Sequence, residues 1–173
     1  KMFNVTNSLT PILIDLSYNK LKKLINLNQE SSVATTILIN NNNLTEIGLF
    51  NGIILKANNN NIKEVPCKNT SFNRNLFQIN FNNNRIKYLQ SHCFDIFYNS
   101  IRQYYLSNNQ ISHIDEEAFL RISNMNELDL SINDLTFMNS NLFKDLKELT
   151  YLNLSYNKLE HIDNNLTSPL IKL

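Results

Sequence analysis

One spacing, LxLxxNxLxxL, recurs seven times in this chain, and few folds accept it. "ILIDLSYNKLKKL" places Ile14, Leu16, Asn19, Leu21 and Leu24 on the template. The later copies carry Ile37, Ile39 and Asn42, then Leu55, Ala57 and Asn60, then Ile79, Phe81 and Asn84. Tyr104, Leu106 and Asn109 follow, then Leu128, Leu130 and Asn133, and last Leu152, Leu154 and Asn157. The asparagines stand 23, 18, 24, 25, 24 and 24 residues apart. Self-similarity at such a period is the mark of a solenoid, in which each coil buries its apolar edge against the next. Within a coil the LxL pair has period 2 and predicts a short strand with alternate residues inside.

The template also sorts the asparagines, of which the chain has 33 against only 2 glycines. Asparagine is a weak helix and strand former, so a folded chain this rich in it uses it where the backbone turns. At the template position the chain leaves the strand and its backbone groups lose sheet partners. A carboxamide both donates and accepts, and it can satisfy those groups within its own coil and the next. Asn19, Asn42, Asn60, Asn84, Asn109, Asn133 and Asn157 are therefore expected to stack as a buried ladder. Their neighbours Asn40, Asn41, Asn58, Asn59, Asn82 and Asn83 are expected to face solvent as bystanders.

A second register follows ten residues after the ladder, at Phe94, Phe119 and Phe143, with Phe97, Ile122 and Leu146 three residues further on. This predicts a phenylalanine spine along the convex side. The 18-residue step from Asn42 to Asn60 is too short for a convex helix and should cross the back as a tight loop that changes the curvature.

Other function classes find little to stand on. The net charge is +1, and no basic run exceeds "KLKK" at 20–23, so a phosphate-backbone surface is not expected. No apolar stretch reaches the ~20 residues that span a bilayer. Gly48 and Gly52 cannot make a phosphate loop. His113 and His161 share a repeat position but lie two coils apart, about 10 Å by strand spacing, too far for one metal. His92, His113 and His161 are read as solvated. No catalytic constellation, metal or cofactor is expected.

Cys67 and Cys93 lie 7 and 9 residues beyond their ladder asparagines on neighbouring coils. A strand separation of about 4.8 Å is within the Cα range of a disulfide. A bond across this span of 26 residues would stabilise by roughly 3 kcal/mol in the chain-entropy model. Two buried thiols in an intracellular solenoid are the alternative. N-glycosylation sequons stand at Asn4, Asn43, Asn69, Asn153 and Asn165, although so much asparagine also makes sequons by accident.

The candidate binding surface is the exposed side of the sheet. Tyr18, Leu38, Ile54, Lys56, Arg102, Tyr105, Tyr151 and Tyr156 are its candidate anchors, because aromatics and arginine anchor protein interfaces. Surface tyrosine favoured by strand propensity alone is the competing explanation for each.

The repeat resembles the leucine-rich repeat over nearly the whole chain, and the phenylalanine register resembles its typical, mostly extracellular subclass. That resemblance implies an α/β-type solenoid: a horseshoe with a parallel concave sheet, an asparagine ladder and a convex side of loops and short helices. The whole of 1–173 is then one domain of about seven repeats, expected to be a piece of a longer solenoid. "ILKANNNNIKEVPC" followed by "NLFQINFNNNRIKYLQSHC" resembles the leucine-rich immune proteins of mosquitoes, where Cys67 and Cys93 match an arrangement of two cysteines one repeat apart. This implies a secreted recognition module of innate immunity, extracellular, with protein partners such as a complement-like thioester protein or another leucine-rich repeat chain. The coiled-coil partner region of those proteins is missing here. Toll-type receptor ectodomains share the repeats and give the second reading; an intracellular adaptor gives the third.

Overall fold

The computed structural model describes residues 12–24, 35–48, 52–66, 76–94, 100–163 and 165–166. Each LxL pair forms a strand: β1 (Ile12–Asp15), β2 (Thr35–Leu38), β3 (Ile54–Lys56) and β4 (Gln78–Asn80). β5 (Tyr88–Leu89) and β7 (His113–Ile114) are two-residue strands placed after the turns. β6 (Gln103–Tyr105), β8 (Glu127–Asp129) and β9 (Tyr151–Asn153) continue the LxL series. The seven LxL strands make one parallel sheet in the order β1-β2-β3-β4-β6-β8-β9, while β5 pairs with β7 on the flank. A bridge from Leu24 to Ile47 belongs to the same flank row.

Pairing is in register throughout, so chemically equivalent residues stack. Ile37 pairs with Leu55, Leu55 with Ile79, Ile79 with Tyr104, and Tyr104 with Leu128. The short step between Asn42 and Asn60 does not break this register; residues 49–51 of its back loop lie outside the described residues. The inward column is fully buried from Ile37 to Leu128, and so is the next one, Ile39, Ala57, Phe81, Leu106 and Leu130, while Ile14, Leu16, Leu152 and Leu154 on the end coils are half-buried. Tyr104 takes an aliphatic position and sets its ring edge-on to Phe94 at 4.8 Å. Burial pushes its phenol well above the usual value, since nothing compensates the loss of water.

Behind the sheet, Phe94, Phe119 and Phe143 are all buried and stack in sequence. Phe94 lies 5.1 Å from Phe119 with nearly parallel planes, and Phe119 lies 6.4 Å from Phe143. Ile122 and Leu146 are buried beside them, and Phe97 lies outside the described residues. Among the described residues the convex side consists of turns and a 3-10 helix, Ser140–Phe143, whose Asn139 cap accepts from the Asn141 amide.

Five of the seven ladder asparagines are buried as expected, and the two on the end coils are not. Asn42, Asn60, Asn84, Asn109 and Asn133 are buried, Asn157 is half-buried, and Asn19 on the first described coil is exposed. Asn60 shows the pattern. Its Nδ2 donates to the carbonyls of Ala57 (3.1 Å) in its own coil and Ile39 (3.0 Å) in the coil before. Its Oδ1 accepts from the Leu44 amide, again in the coil before, at 3.0 Å. The ladder thus ties each coil to the preceding one, where the expectation was the next. Asn84, Asn109, Asn133 and Asn157 repeat the arrangement. Among the described residues, Asn19 donates to the carbonyls of Leu16 and Ser17 in its own coil.

The neighbouring asparagines are not all bystanders, and here the expectation is corrected. The residue before each ladder asparagine has a positive φ: Tyr18, Asn41, Asn59, Asn83, Asn108, Ile132 and Tyr156, all between 52° and 58°. Crowding of Cβ makes this left-handed region cost roughly 1–2 kcal/mol for most residues, and asparagine is among the few that visit it routinely. The side chains then link across coils. Asn59 donates to Asn41 at 2.9 Å, Asn83 to Asn59 at 2.6 Å and Asn108 to Asn83 at 2.6 Å. A second, solvent-facing ladder runs beside the buried one.

Ile132 interrupts it. A β-branched residue in the left-handed region is a genuine outlier, and its side chain cannot continue the row. Ile132→Asn should therefore raise stability by about 1–2 kcal/mol, read as an upward shift in urea midpoint. A lower midpoint would contradict the assignment of strain to this position.

Candidate functional site

The concave face is a grid set by strand register. One outward column runs Leu13, Thr36, Ile54, Gln78, Gln103, Glu127, Tyr151. The next runs Asp15, Leu38, Lys56, Asn80, Tyr105, Asp129, Asn153. Its first coils are the more apolar, with Leu13 exposed, Leu38 and Ile54 half-buried, and Lys56 exposed.

From β4 onward the face is polar and internally bonded. Gln78 Nε2 donates to Gln103 Oε1 at 2.8 Å, and Gln103 Nε2 to Glu127 Oε1 at 2.9 Å. Tyr105 donates its hydroxyl to the other Glu127 oxygen. Burial first, and the Glu127 carboxylate second, push the Tyr105 phenol up to about 12. Two residues past the strand ends on these same coils, the Ser107 and Ser131 hydroxyls meet at 2.8 Å. Asp129 lies beside Tyr105, and Tyr151, 47% exposed, lies beside Glu127. This corner therefore offers two carboxylates and an exposed phenol in a frame whose side chains already hold one another. Such a surface loses little side-chain freedom when a partner docks.

The candidate anchors separate into three groups. Leu38, Ile54, Lys56, Tyr105 and Tyr151 lie on the outward columns of the sheet. Tyr18 and Tyr156, the most exposed large hydrophobic side chains among the described residues at 80% and 83%, sit in the left-handed turns past the strand ends, on the first and last described coils. They flank the sheet and do not join Tyr105 in one cluster. Arg102 precedes β6 and has the inward parity of Tyr104; its guanidinium donates to the Asn124 carbonyl at 2.8 Å. Gln103 and Glu127, which organise the corner, fall on the concave face by the repeat alignment, but they are not among the candidate anchors because single-residue chemistry does not reveal the bond between them.

Of the sequons, Asn43 and Asn165 are exposed, and Asn4 and Asn69 lie outside the described residues. Asn153 is on the concave face, where its Oδ1 accepts from the Ser155 hydroxyl at 2.7 Å. Cys93 is fully buried, Cys67 lies outside the described residues, and no described cysteine is a free thiol. His92 sits 3.1 Å from Glu117 and His113 3.5 Å from Asp115 on the surface. Among the described residues no cluster of histidine, cysteine and acidic groups could hold a metal, and no helix is long and apolar enough to cross a membrane.

Comparison with known proteins agrees with this geometry. The family model described as "Leucine rich repeat" matches residues 99–159 and 123–173. A search of curated proteins finds none that matches. Among solved structures, the crystal structure of a TLR13–ssRNA13 complex superposes with a TM-score of 0.66 at 18% identity over 91% of this chain. The chain spans 28% of the length of that one, and the likeness is one of fold.

Proposed function

The chain is a leucine-rich repeat protein, and on that footing we propose a secreted recognition module of innate immunity that binds protein partners without catalysis. The observation that carries this reading is the preorganised corner of Gln103, Tyr105, Glu127, Asp129 and Tyr151 on an open sheet. Its carboxylates and phenols suit a partner segment bearing arginine or lysine, since charge-assisted bonds and arginine–aromatic contacts reward that pairing. A complement-like thioester protein or a second leucine-rich repeat chain are the partners that the mosquito resemblance brings forward. The same carboxylates disfavour nucleic acid on this corner, because they repel phosphates. A Toll-type receptor ectodomain is the second reading, favoured by the fold likeness above.

An extracellular setting carries two further parts of the proposal: a Cys67–Cys93 disulfide, supported by the burial of Cys93, and glycans at the sequons. Intact mass before and after reduction and deglycosylation tests both; free thiols with unmodified asparagines would favour the intracellular adaptor. A glycan on Asn153 would stand next to Tyr151 and shield the corner, so binding is assigned to protein unmodified there.

The binding test compares wild type with Glu127→Lys/Tyr151→Ala in pull-downs from extracellular fluid. The double variant should lose at least about tenfold in affinity for the captured partner, equivalent to roughly 1.4 kcal/mol. The convex variant Lys144→Ala should lose none. Equal capture by all three would overturn the concave-corner assignment.

A further inference from the structure

The flank of the solenoid, beside the short strands β5 and β7, carries an open cavity of about 500 Å³ that none of the preceding chemistry uses. Lys63, Glu64, Arg85, Lys87, Tyr88, Gln90 and Gln110 line it. Lys63 and Lys87 each stand three residues after a ladder asparagine, Asn60 and Asn84, so they are stacked on adjacent coils. Coil spacing near 4.8 Å brings two like charges side by side, an arrangement that is destabilising without a counter-charge.

Elsewhere on this flank two lysines are neutralised. Lys23 pairs with Glu46 at 2.7 Å, and Lys158 with Asp134 at 2.7 Å. Among the described residues, Lys63, Arg85 and Lys87 have no carboxylate partner within bonding distance. Glu64 is the one acid lining the cavity, which leaves it with a net charge of two positives. The wall is firm: the Tyr88 ring stacks on His113 at 5.3 Å with planes 6° apart. The carboxylate of Asp115 beside it raises the Tyr88 phenol and is itself lowered by accepting from it. A stiff aromatic wall, a planar guanidinium and two ammonium groups on one coil spacing suit closely spaced tetrahedral anions, which arginine grips as a fork and lysine as a point charge.

We propose that this cavity is a binding site for a compact polyanion carrying at least two neighbouring sulfate or phosphate groups. It is separate from the concave corner, and it stands whether or not that corner binds protein. Lys63 and Lys87 hold one anionic group each, Arg85 bridges them, and Glu64 weakens the site by repulsion.

Two probes distinguish the sources of this chemistry: pyrophosphate and a fully sulfated heparin disaccharide, titrated calorimetrically into the protein prepared without N-glycans. Binding of either at millimolar concentration or tighter, weakened by added salt, is the expected result. Preference for one probe identifies phosphate or sulfate, and equal binding identifies charge density alone. Arg85→Glu and Lys87→Glu should each weaken binding by about tenfold or more, while Glu64→Gln should tighten it. All three positions are exposed, and unchanged circular dichroism and melting would show that folding is intact. Glu127→Lys should leave the affinity at its wild-type value or slightly higher. Failure of both probes to bind, or binding indifferent to Arg85→Glu and Lys87→Glu, would overturn the site.

Discussion

Phe119→Ala should remove about 3–5 kcal/mol of stability, the cost of deleting a fully buried aromatic whose cavity cannot collapse. Phe119 is the middle of the stacked row, with Phe94 on one side and Phe143 on the other, so its loss strips a packing face from both. In a solenoid each coil touches only its neighbours. The damage should therefore appear as a lower and broader unfolding transition, in which the coils on either side of residue 119 uncouple. Phe119→Leu should restore part of the loss. A midpoint unchanged in the alanine variant would mean that the row does not support the convex side.

Asn60→Ala should be the second large effect, and its neighbours calibrate it. The substitution leaves the buried Leu44 amide unpaired, at roughly 1–3 kcal/mol, and takes one of two side-chain donors from the Ile39 and Ala57 carbonyls, which keep Asn42 and Asn84. Asn59→Ala should cost about 1 kcal/mol or somewhat more, from the left-handed backbone and the broken outer row. Asn58→Ala should stay within about 0.5 kcal/mol, as surface changes usually do. Three adjacent asparagines thus predict three graded shifts in a denaturant midpoint. Equal shifts would refute the register.

This grading also marks how far the sequence could be read. The inward columns, the buried ladder and the phenylalanine row were legible because each repeats a residue type at a fixed offset from the ladder asparagine. The outer row was not. Its backbone demands a positive φ at every coil, but Tyr18, Ile132 and Tyr156 occupy the same column as Asn41, Asn59, Asn83 and Asn108. No common residue type announces the position, and the asparagines there looked permissive. The concave face shows the same limit. Period 2 correctly sends Tyr105 and Tyr151 outward. The strand begins one residue after Arg102, and the Asn124 carbonyl then claims its guanidinium. The hydrogen-bonded chain from Gln78 through Gln103 to Glu127 joins three coils. It exists only once the coils are stacked in register, so no single repeat contains it.

Each coil from the second described one to that of Asn157 is fastened to the one before it by its ladder asparagine, and amide hydrogen exchange tests this most directly. The amides of Leu21, Leu44, Ile62, Ile86, Ile111 and Leu135 lie outside the strands, and each donates to a ladder Oδ1 of the following coil at 2.9–3.1 Å. They should exchange as slowly as the strand amides of Leu55, Ile79 and Leu128, giving a protected amide two residues after each ladder asparagine from Asn19 to Asn133. Thr136 and Phe137, exposed on the flank directly after Leu135, supply the fast reference. Exchange of those six amides at the rate of Thr136 and Phe137 would contradict the ladder and the register built on it.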